Sequence, residues 1–272
     1  SFACQDMVRE LQKNKPDWLL ATNLNEVNYG CKYGVSTSID WAFKHTDSLI
    51  ILEDDISVSE DFFTFMDYCL NRFRNDTDIF LINSWTPVLS KKSRQSLEYY
   101  KSRIFSPWGW ATWKQRWDKV DIQIRNWNPS LDVRGLPGLS PYNLNHDFAK
   151  FYKNKLWQCR EGYDTWDYQL LFNMWSNSCY SLMPRRRLSG NLGFRSDATH
   201  TKKIIQNSNV HFDDTIDGDE STGLIQSFIF QSEISKTANY DFQYDAAALG
   251  FYTENSLKAL LTNLSTKLVK RF

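Results

Sequence analysis

The sequence predicts an α/β protein with a mainly parallel central sheet and helices on both faces. Three observations lead there. The runs Ser48-Leu49-Ile50-Ile51-Leu52 and Ile79-Phe80-Leu81-Ile82 are short, continuous and apolar, as strands buried on both faces are. The segments around them carry apolar residues at helical spacing. Up to about residue 85 the two kinds of segment alternate, which is the pattern of strand–helix–strand units.

In chain order, Cys4 to Gln12 reads as a short helix and Trp18 to Ala21 as a buried strand. Gly34 to Lys44 places Val35, Ile39, Ala42 and Phe43 on one helical face. Strand Ser48 to Leu52 ends in Glu53-Asp54-Asp55. Ser59 then precedes Phe62, Phe63, Met66, Cys69, Leu70 and Phe73, the signature of a capped amphipathic helix. After strand Ile79 to Ile82, Leu97 to Phe105 reads as a strand and Gly109 to Val120 as a Trp-rich helix. A loop rich in Pro and Gly leads to helix His146 to Leu156. Helix Trp166 to Asn177 and strand Cys179 to Met183 follow, then a loop from Ser189 to His200. Ser208 to Asp219 is polar. The tail Leu257 to Phe272 puts five leucines on one face with four cationic side chains and no acid. That pattern suits core or subunit packing first, and second a helix lying on an anionic membrane surface.

Composition narrows the function classes. The 272 residues are 42% hydrophobic, 24% charged and 15% aromatic, which excludes a mostly disordered chain. Thirty-two basic side chains balance 32 acidic ones, so a dedicated nucleic-acid binder is not expected. No apolar run approaches a membrane span of about 18 residues. Ser1 to Leu11 does not have the basic-then-apolar pattern of a secretory signal. The five cysteines are widely spaced, with no C-x-x-C pair, and are expected to be reduced and mostly buried. These features favour a cytoplasmic protein, membrane-associated if the tail helix binds lipid. A Golgi-lumen catalytic fragment would read the same way.

Four features could carry chemistry. The first is Glu53-Asp54-Asp55, at the carboxyl end of a strand, where open α/β sheets bind ligands. Three adjacent acids repel one another, and a hard divalent cation would relieve the conflict while bridging to phosphate oxygens. A solvated turn leading into the next helix explains the same residues. The second is Phe105 to Trp113, with three Trp residues around Gly109; it suits a wall for stacking sugar rings or a helix core. The third is Asp164-Thr165-Trp166-Asp167-Tyr168. A carboxylate beside a Trp could be a general base for an acceptor hydroxyl. Alternatively Asp164 caps the helix and Asp167 sits in its first turn, where the macrodipole would lower its basicity. The fourth is Asn191-Leu192-Gly193-Phe194 with Ala198-Thr199-His200, whose His could be a ligand or a surface residue.

Taken in order, these pieces resemble inverting glycosyltransferases of GT-A fold, closest to the group that includes N-acetylglucosaminyltransferase I and its bacterial relatives. The similar segments are Asn28-Tyr29-Gly30 with Gly34-Val35-Ser36, then Ile50 to Asp55, Trp108 to Trp113, Trp166-Asp167, and Asn191 to His200. The resemblance implies a catalytic domain over 1–205, with a donor half at about 1–90 and an acceptor half at about 91–205. An extension over 206–272 carries the amphipathic helix, a site for peripheral membrane contact or self-association. It implies a nucleotide-sugar donor, usually a UDP-sugar, bound with Mn²⁺ or Mg²⁺, and a glycan or glycoconjugate acceptor, as in polysaccharide assembly. By the same resemblance Asp55 and His200 hold the metal. Glu53, Asp54, Gly34, Gly109, Trp110 and Arg195 bind the donor. Trp166 lies in the acceptor site, and Asp167 is the catalytic base. Arg185, Arg186 and Arg187 are further candidates for the diphosphate. The chain departs from the family at its start, where helix Cys4 to Gln12 stands in the place that follows the family's first, base-binding strand.

Two rival readings use the same residues. A sugar nucleotidyltransferase also needs clustered acids, together with a Gly-rich phosphate loop that is not seen near the start. A non-catalytic carbohydrate-binding protein would stack glycan on Trp and bind Ca²⁺ through the acids, leaving Asp167 without a role.

Overall fold

The computed structural model describes residues 2–15, 21–86, 99–139 and 146–192. Helix α1, Phe2–Asn14, and helix α2, Gly30–Ala42, precede strand β1, Ser48–Ile51. The acids that follow β1 lead into a short strand β2, Ile56–Val58, and then into helix α3, Asp61–Arg72. Next come β3, Ile79–Asn83, β4, Tyr99–Ser102, β5, Trp110–Trp113, and the single-turn helix α4, Lys114–Trp117. Helices α5, His146–Arg160, and α6, Asp167–Ser176, precede β6, Tyr180–Pro184, and β7, Ser189–Asn191.

The chain is α/β, and its described five-stranded sheet is mixed, with order β1-β5-β3-β6-β4. Strand β5 is antiparallel to both β1 and β3, β4 is antiparallel to β6, and β3 and β6 are parallel. Hence β1, β3 and β6 run one way and β4 and β5 the other. The expected mainly parallel sheet is corrected on this point: three of its four described pairings are antiparallel, two made by β5 and one by β4. The segment read as a Trp-rich helix, Gly109 to Val120, opens as strand β5, which inserts between β1 and β3. Its residues Trp110, Ala111, Thr112 and Trp113 are all buried, so the segment has no polar face to signal a strand by alternation.

Smaller expectations are also revised. Helix α2 opens at Gly30 rather than Gly34. Ser59 does not cap α3: its hydroxyl is buried without a hydrogen-bond partner, and only its backbone carbonyl accepts from Phe62 N–H. Ser189–Asn191, read as a loop, pairs with β2 as a small antiparallel sheet. Ala21 is exposed and lies in no strand; residues 18–20 of that expected strand lie outside the described residues. So do the extension 206–272 and its amphipathic helix.

Helices cover both faces of the sheet. On one, Ile39 and Phe43 of the α2 region, Phe148, Tyr152 and Leu156 of α5, and Leu170, Met174 and Trp175 of α6 pack with Phe80, Trp110 and Met183. On the other, Phe62, Phe65, Met66 and Cys69 of α3 pack with Ile79, Ile82, Ala111, Trp113 and Leu182. Trp110 and Trp175 are fully buried. Each such ring removes on the order of 200 Å² from water, a gross gain of roughly 5 kcal/mol before entropy is subtracted. The wealth of aromatics is therefore mostly core. The buried Asp61 carboxylate at the start of α3 pairs with Arg186, which ties that helix to the β6–β7 connection. Cys69, Cys159 and Cys179 are buried free thiols, as expected, whereas Cys31 is exposed. Among the described residues no helix is long and apolar enough to cross a membrane.

Candidate functional site

The ends of β1 and β3 and the start of β5 meet at one edge, because Ile51 lies opposite Trp110 and Trp110 opposite Asn83. The Glu53-Asp54-Asp55 turn leaves from this edge. Gly109 adopts φ +82°, a left-handed turn that favours glycine, and a Cβ there would lie 2.8 Å from Ser84 Oγ and 3.2 Å from Leu52. The turn is pinned by Ser84 Oγ, which donates to Gly109 O (2.6 Å), and by Ser189 Oγ, which donates to Trp108 O (2.5 Å). The β2–β7 pairing brings Asn191 opposite Ile56, and Leu192 N–H donates to Asp55 O at 2.8 Å.

The segment before α6 closes the arrangement. Trp166 is buried and stacks on Trp110 with ring centroids 5.5 Å apart, and Phe105 packs edge-on against both. Trp166 lies close enough to the Glu53 carboxyl to favour its ionised form. Four segments far apart in the sequence thus converge: the acids after β1, the Gly109 turn, Trp166-Asp167 and Asn191-Leu192.

Electrostatics sets the protonation of the group. Burial pushes the Glu53 carboxyl above its ordinary range, and the charges of Asp55, Asp167 and Asp54 add to this, while Trp166 opposes it. Asp54 is exposed, and Asp55 is half-buried with Oδ1 shut off from water and without a hydrogen-bond partner. Such an orphaned carboxylate oxygen beside a second acid suits a hard cation. Asp55 is the protein ligand the described residues offer. Among them there is no cluster of three potential metal ligands.

Asp167 is half-buried at the first position of α6. Burial raises its carboxyl pKa and outweighs three opposing influences: a hydrogen bond from the Thr165 hydroxyl, backbone N–H bonds from Tyr168 and its own amide, and the charge of Lys155. The expectation that the helix start would make it a weaker base is thereby reversed. Asp167 faces a cleft of about 290 Å³ walled by Trp85, Phe105, Trp108, Phe151 and Tyr168. Phe105, Trp108 and Tyr168 belong to segments singled out in the sequence, whereas Trp85 and Phe151 went unread, although Trp85 follows the polar end of a buried strand.

Asp164 does not cap α6. Its carboxylate accepts from the backbone N–H groups of Cys31 and Lys32, 2.8 Å each, and so caps α2. These two bonds hold its pKa below the ordinary range. Gly30, at φ +72°, makes the approach possible, since a Cβ there would lie 2.4 Å from Asp164 Oδ2. The adjacent Cys31, though exposed, has its thiol pKa raised by partial desolvation and by the charges of Glu53, Asp164 and Asp167, so it is no ready nucleophile.

Of the residues expected in the site, Glu53, Asp55 and Asp167 are brought together. Gly109 presents backbone at the same edge. Trp110 is fully buried and supports the turn from beneath, offering no ring face to a sugar, and the Trp166 ring lies likewise in the core. Trp108 is the half-exposed member of that Trp group, set edge-on to Trp85. Gly34 lies inside α2 with open space where a side chain would be. Arg195 and His200 lie outside the described residues. Arg185 and Arg187 lie over the rings of Tyr100 and Trp85, and Arg186 pairs with Asp61. Compared with known protein families and with curated proteins, the chain matches neither a family nor a relative.

Proposed function

We propose that this chain is a metal-dependent, inverting glycosyltransferase of GT-A fold that moves a sugar from a UDP-sugar to a hydroxyl of a glycan acceptor. The observation that carries the reading is the convergence of the acids after β1 with the Trp166-Asp167 segment, which the stacking of Trp166 on Trp110 brings to the edge where Trp110 lies opposite Ile51. A strand-end acid cluster beside a desolvated carboxylate in an aromatic cleft is what such a transfer needs.

In this reading Asp167 accepts the proton of the acceptor hydroxyl as that oxygen attacks the anomeric carbon, and one displacement inverts the configuration. Its raised pKa makes it a stronger base than a solvated carboxylate. The Thr165 hydroxyl donates to one carboxylate oxygen and fixes the orientation of the Asp167 side chain. Trp85, Trp108 and Tyr168 exclude water and hold the acceptor ring. Asp55 would hold the Mn²⁺ or Mg²⁺ ion, with His200 as a second candidate. When bound, the cation neutralises charge growing on the leaving diphosphate. Glu53, Asp54 and the Gly109 backbone face the donor, with Gly34 and Arg195 as further donor contacts.

The test is transfer itself. Incubation with UDP-sugars and oligosaccharide acceptors should release UDP and give a product of inverted anomeric configuration, read by NMR. Asp167→Asn should lower turnover by about 10²- to 10⁴-fold while UDP still binds. Undiminished turnover in that variant would overturn the assignment.

A further inference from the structure

The Asp167 cleft has a neighbour. On the outer side of α5, an open cavity of about 670 Å³ is lined by Asp147, Lys150, Phe151, Lys153, Asn154 and Trp157. Phe151 lines the Asp167 cleft as well, so the two spaces share a wall. The Trp157 ring is 48% exposed, and it is braced edge-on by Trp127, which is itself buried. An exposed, braced indole in a groove is a platform for stacking rather than a core residue.

Charge distinguishes this groove from the acid edge. Lys150 and Lys153 line it, and Lys155, one turn on from Phe151, lies over the rings of Phe151, Tyr163 and Tyr168 at 5.4 to 5.7 Å. Among the described residues none of these three ammonium groups makes an ion pair. The carboxylate of Asp147 is the opposing charge on the lining. From Asp147 to Trp157 the helix rises about 15 Å, the span of several sugar units.

We infer that this groove is an extended acceptor subsite for an anionic oligosaccharide carrying carboxylates, that is, a uronic-acid chain. The inference rests on the transferase reading above. The chain enters the Asp167 cleft over Phe151 and continues along α5. Trp157 stacks on the apolar face of one sugar, Lys150 and Lys153 meet carboxylates, and the Asn154 amide hydrogen-bonds hydroxyls. Two aromatic rings lining a groove among ammonium and amide groups suit a polar polymer better than a protein's apolar surface.

The experiment is a calorimetric titration of the full chain carrying Asp167→Asn with an oligogalacturonate and with its carboxyl-reduced, neutral counterpart. The acidic oligosaccharide should bind at least about tenfold more tightly, and its affinity should fall with salt. Trp157→Ala, and separately Lys150→Gln with Lys153→Gln, should each weaken it about tenfold or more while Tm is nearly unchanged. Equal binding of both oligosaccharides, no binding, or no effect of Trp157→Ala would overturn the inference. UDP binding with Mn²⁺ in the same sample separates the two readings. Glycan binding without nucleotide binding would sustain the groove and remove the transferase. Nucleotide binding and transfer to a small acceptor without oligogalacturonate binding would do the reverse.

Discussion

The carboxylate of Asp164 accepts the backbone N–H of Cys31 at 2.8 Å, joining the segment before α6 to the start of α2 across most of the described chain. The same carboxylate takes the N–H of Lys32, so a loop side chain does for a distant helix what an N-cap residue normally does from within. Asp167 is three residues further on, so this clamp positions the proposed base.

Gly30→Ala should therefore be destabilising. The left-handed backbone alone costs an alanine about 1–2 kcal/mol, and the new Cβ would displace Asp164. Thermal unfolding should show a lower Tm, and Asp164→Ala should lower it too. The Asp164 contribution has a defined pH window. Its folded pKa is depressed, so the stabilisation is complete above the ordinary carboxylate range and lost as pH falls through the folded value. Tm of wild type and Asp164→Ala should converge in acid.

Asp167 should show the opposite sign. Burial raises its folded pKa, so its ionisation weighs against folding at neutral pH, and that cost vanishes in acid as the proton binds. Asp167→Asn keeps an oxygen to accept from Thr165 and removes the charge. It should melt higher than wild type at neutral pH, with the gap closing as pH falls through the carboxylate range. Turnover of the wild type should lose its acid limb above the pH expected for a solvated aspartate. A variant that melts lower at neutral pH would contradict the burial argument.

Trp110 and Trp108, two residues apart, should separate cleanly by mutation. Trp110 is fully buried, and Trp110→Ala should cost about 3–5 kcal/mol, read as a large drop in Tm. Its indole nitrogen has no hydrogen-bond partner, so Trp110→Phe loses volume only and should cost much less. Trp108 walls the cleft. Trp108→Ala should leave most of the stability and weaken acceptor binding, read as a rise in KM.

The sequence read best where periodicity and burial agree. Strands β1 and β3, the amphipathic α3, and helices α5 and α6 are legible because their apolar residues recur at the spacing of the element they form. Strand β5 is not. Trp110 to Trp113 is buried on both faces and is followed by Lys114–Trp117 in a helical turn, so a strand and a helix together imitate one long helix. That misreading hides two of the three antiparallel pairings described in the sheet. In the site, the acids and Asp167 stand out because charged residues beside apolar strands need a reason. The role of Asp164 is not legible there, since its partners are backbone groups of Cys31 and Lys32, and no side-chain pattern records a backbone partner. Nor does periodicity tell a ring that lines a cleft, such as Trp108, from one that fills the core, such as Trp110.

The central claim is that the acids after β1 and Asp167 form one nucleotide-sugar site. The most direct measurement is thermal unfolding of the chain with UDP, GDP, CMP and dTDP, each with and without Mn²⁺. At about 100 times its dissociation constant a ligand adds roughly 2.7 kcal/mol of stability. The account predicts a rise in Tm with UDP that requires Mn²⁺ and is lost in Asp55→Asn. No rise with any nucleotide, or a rise with UDP that is the same in Asp55→Asn, would contradict it.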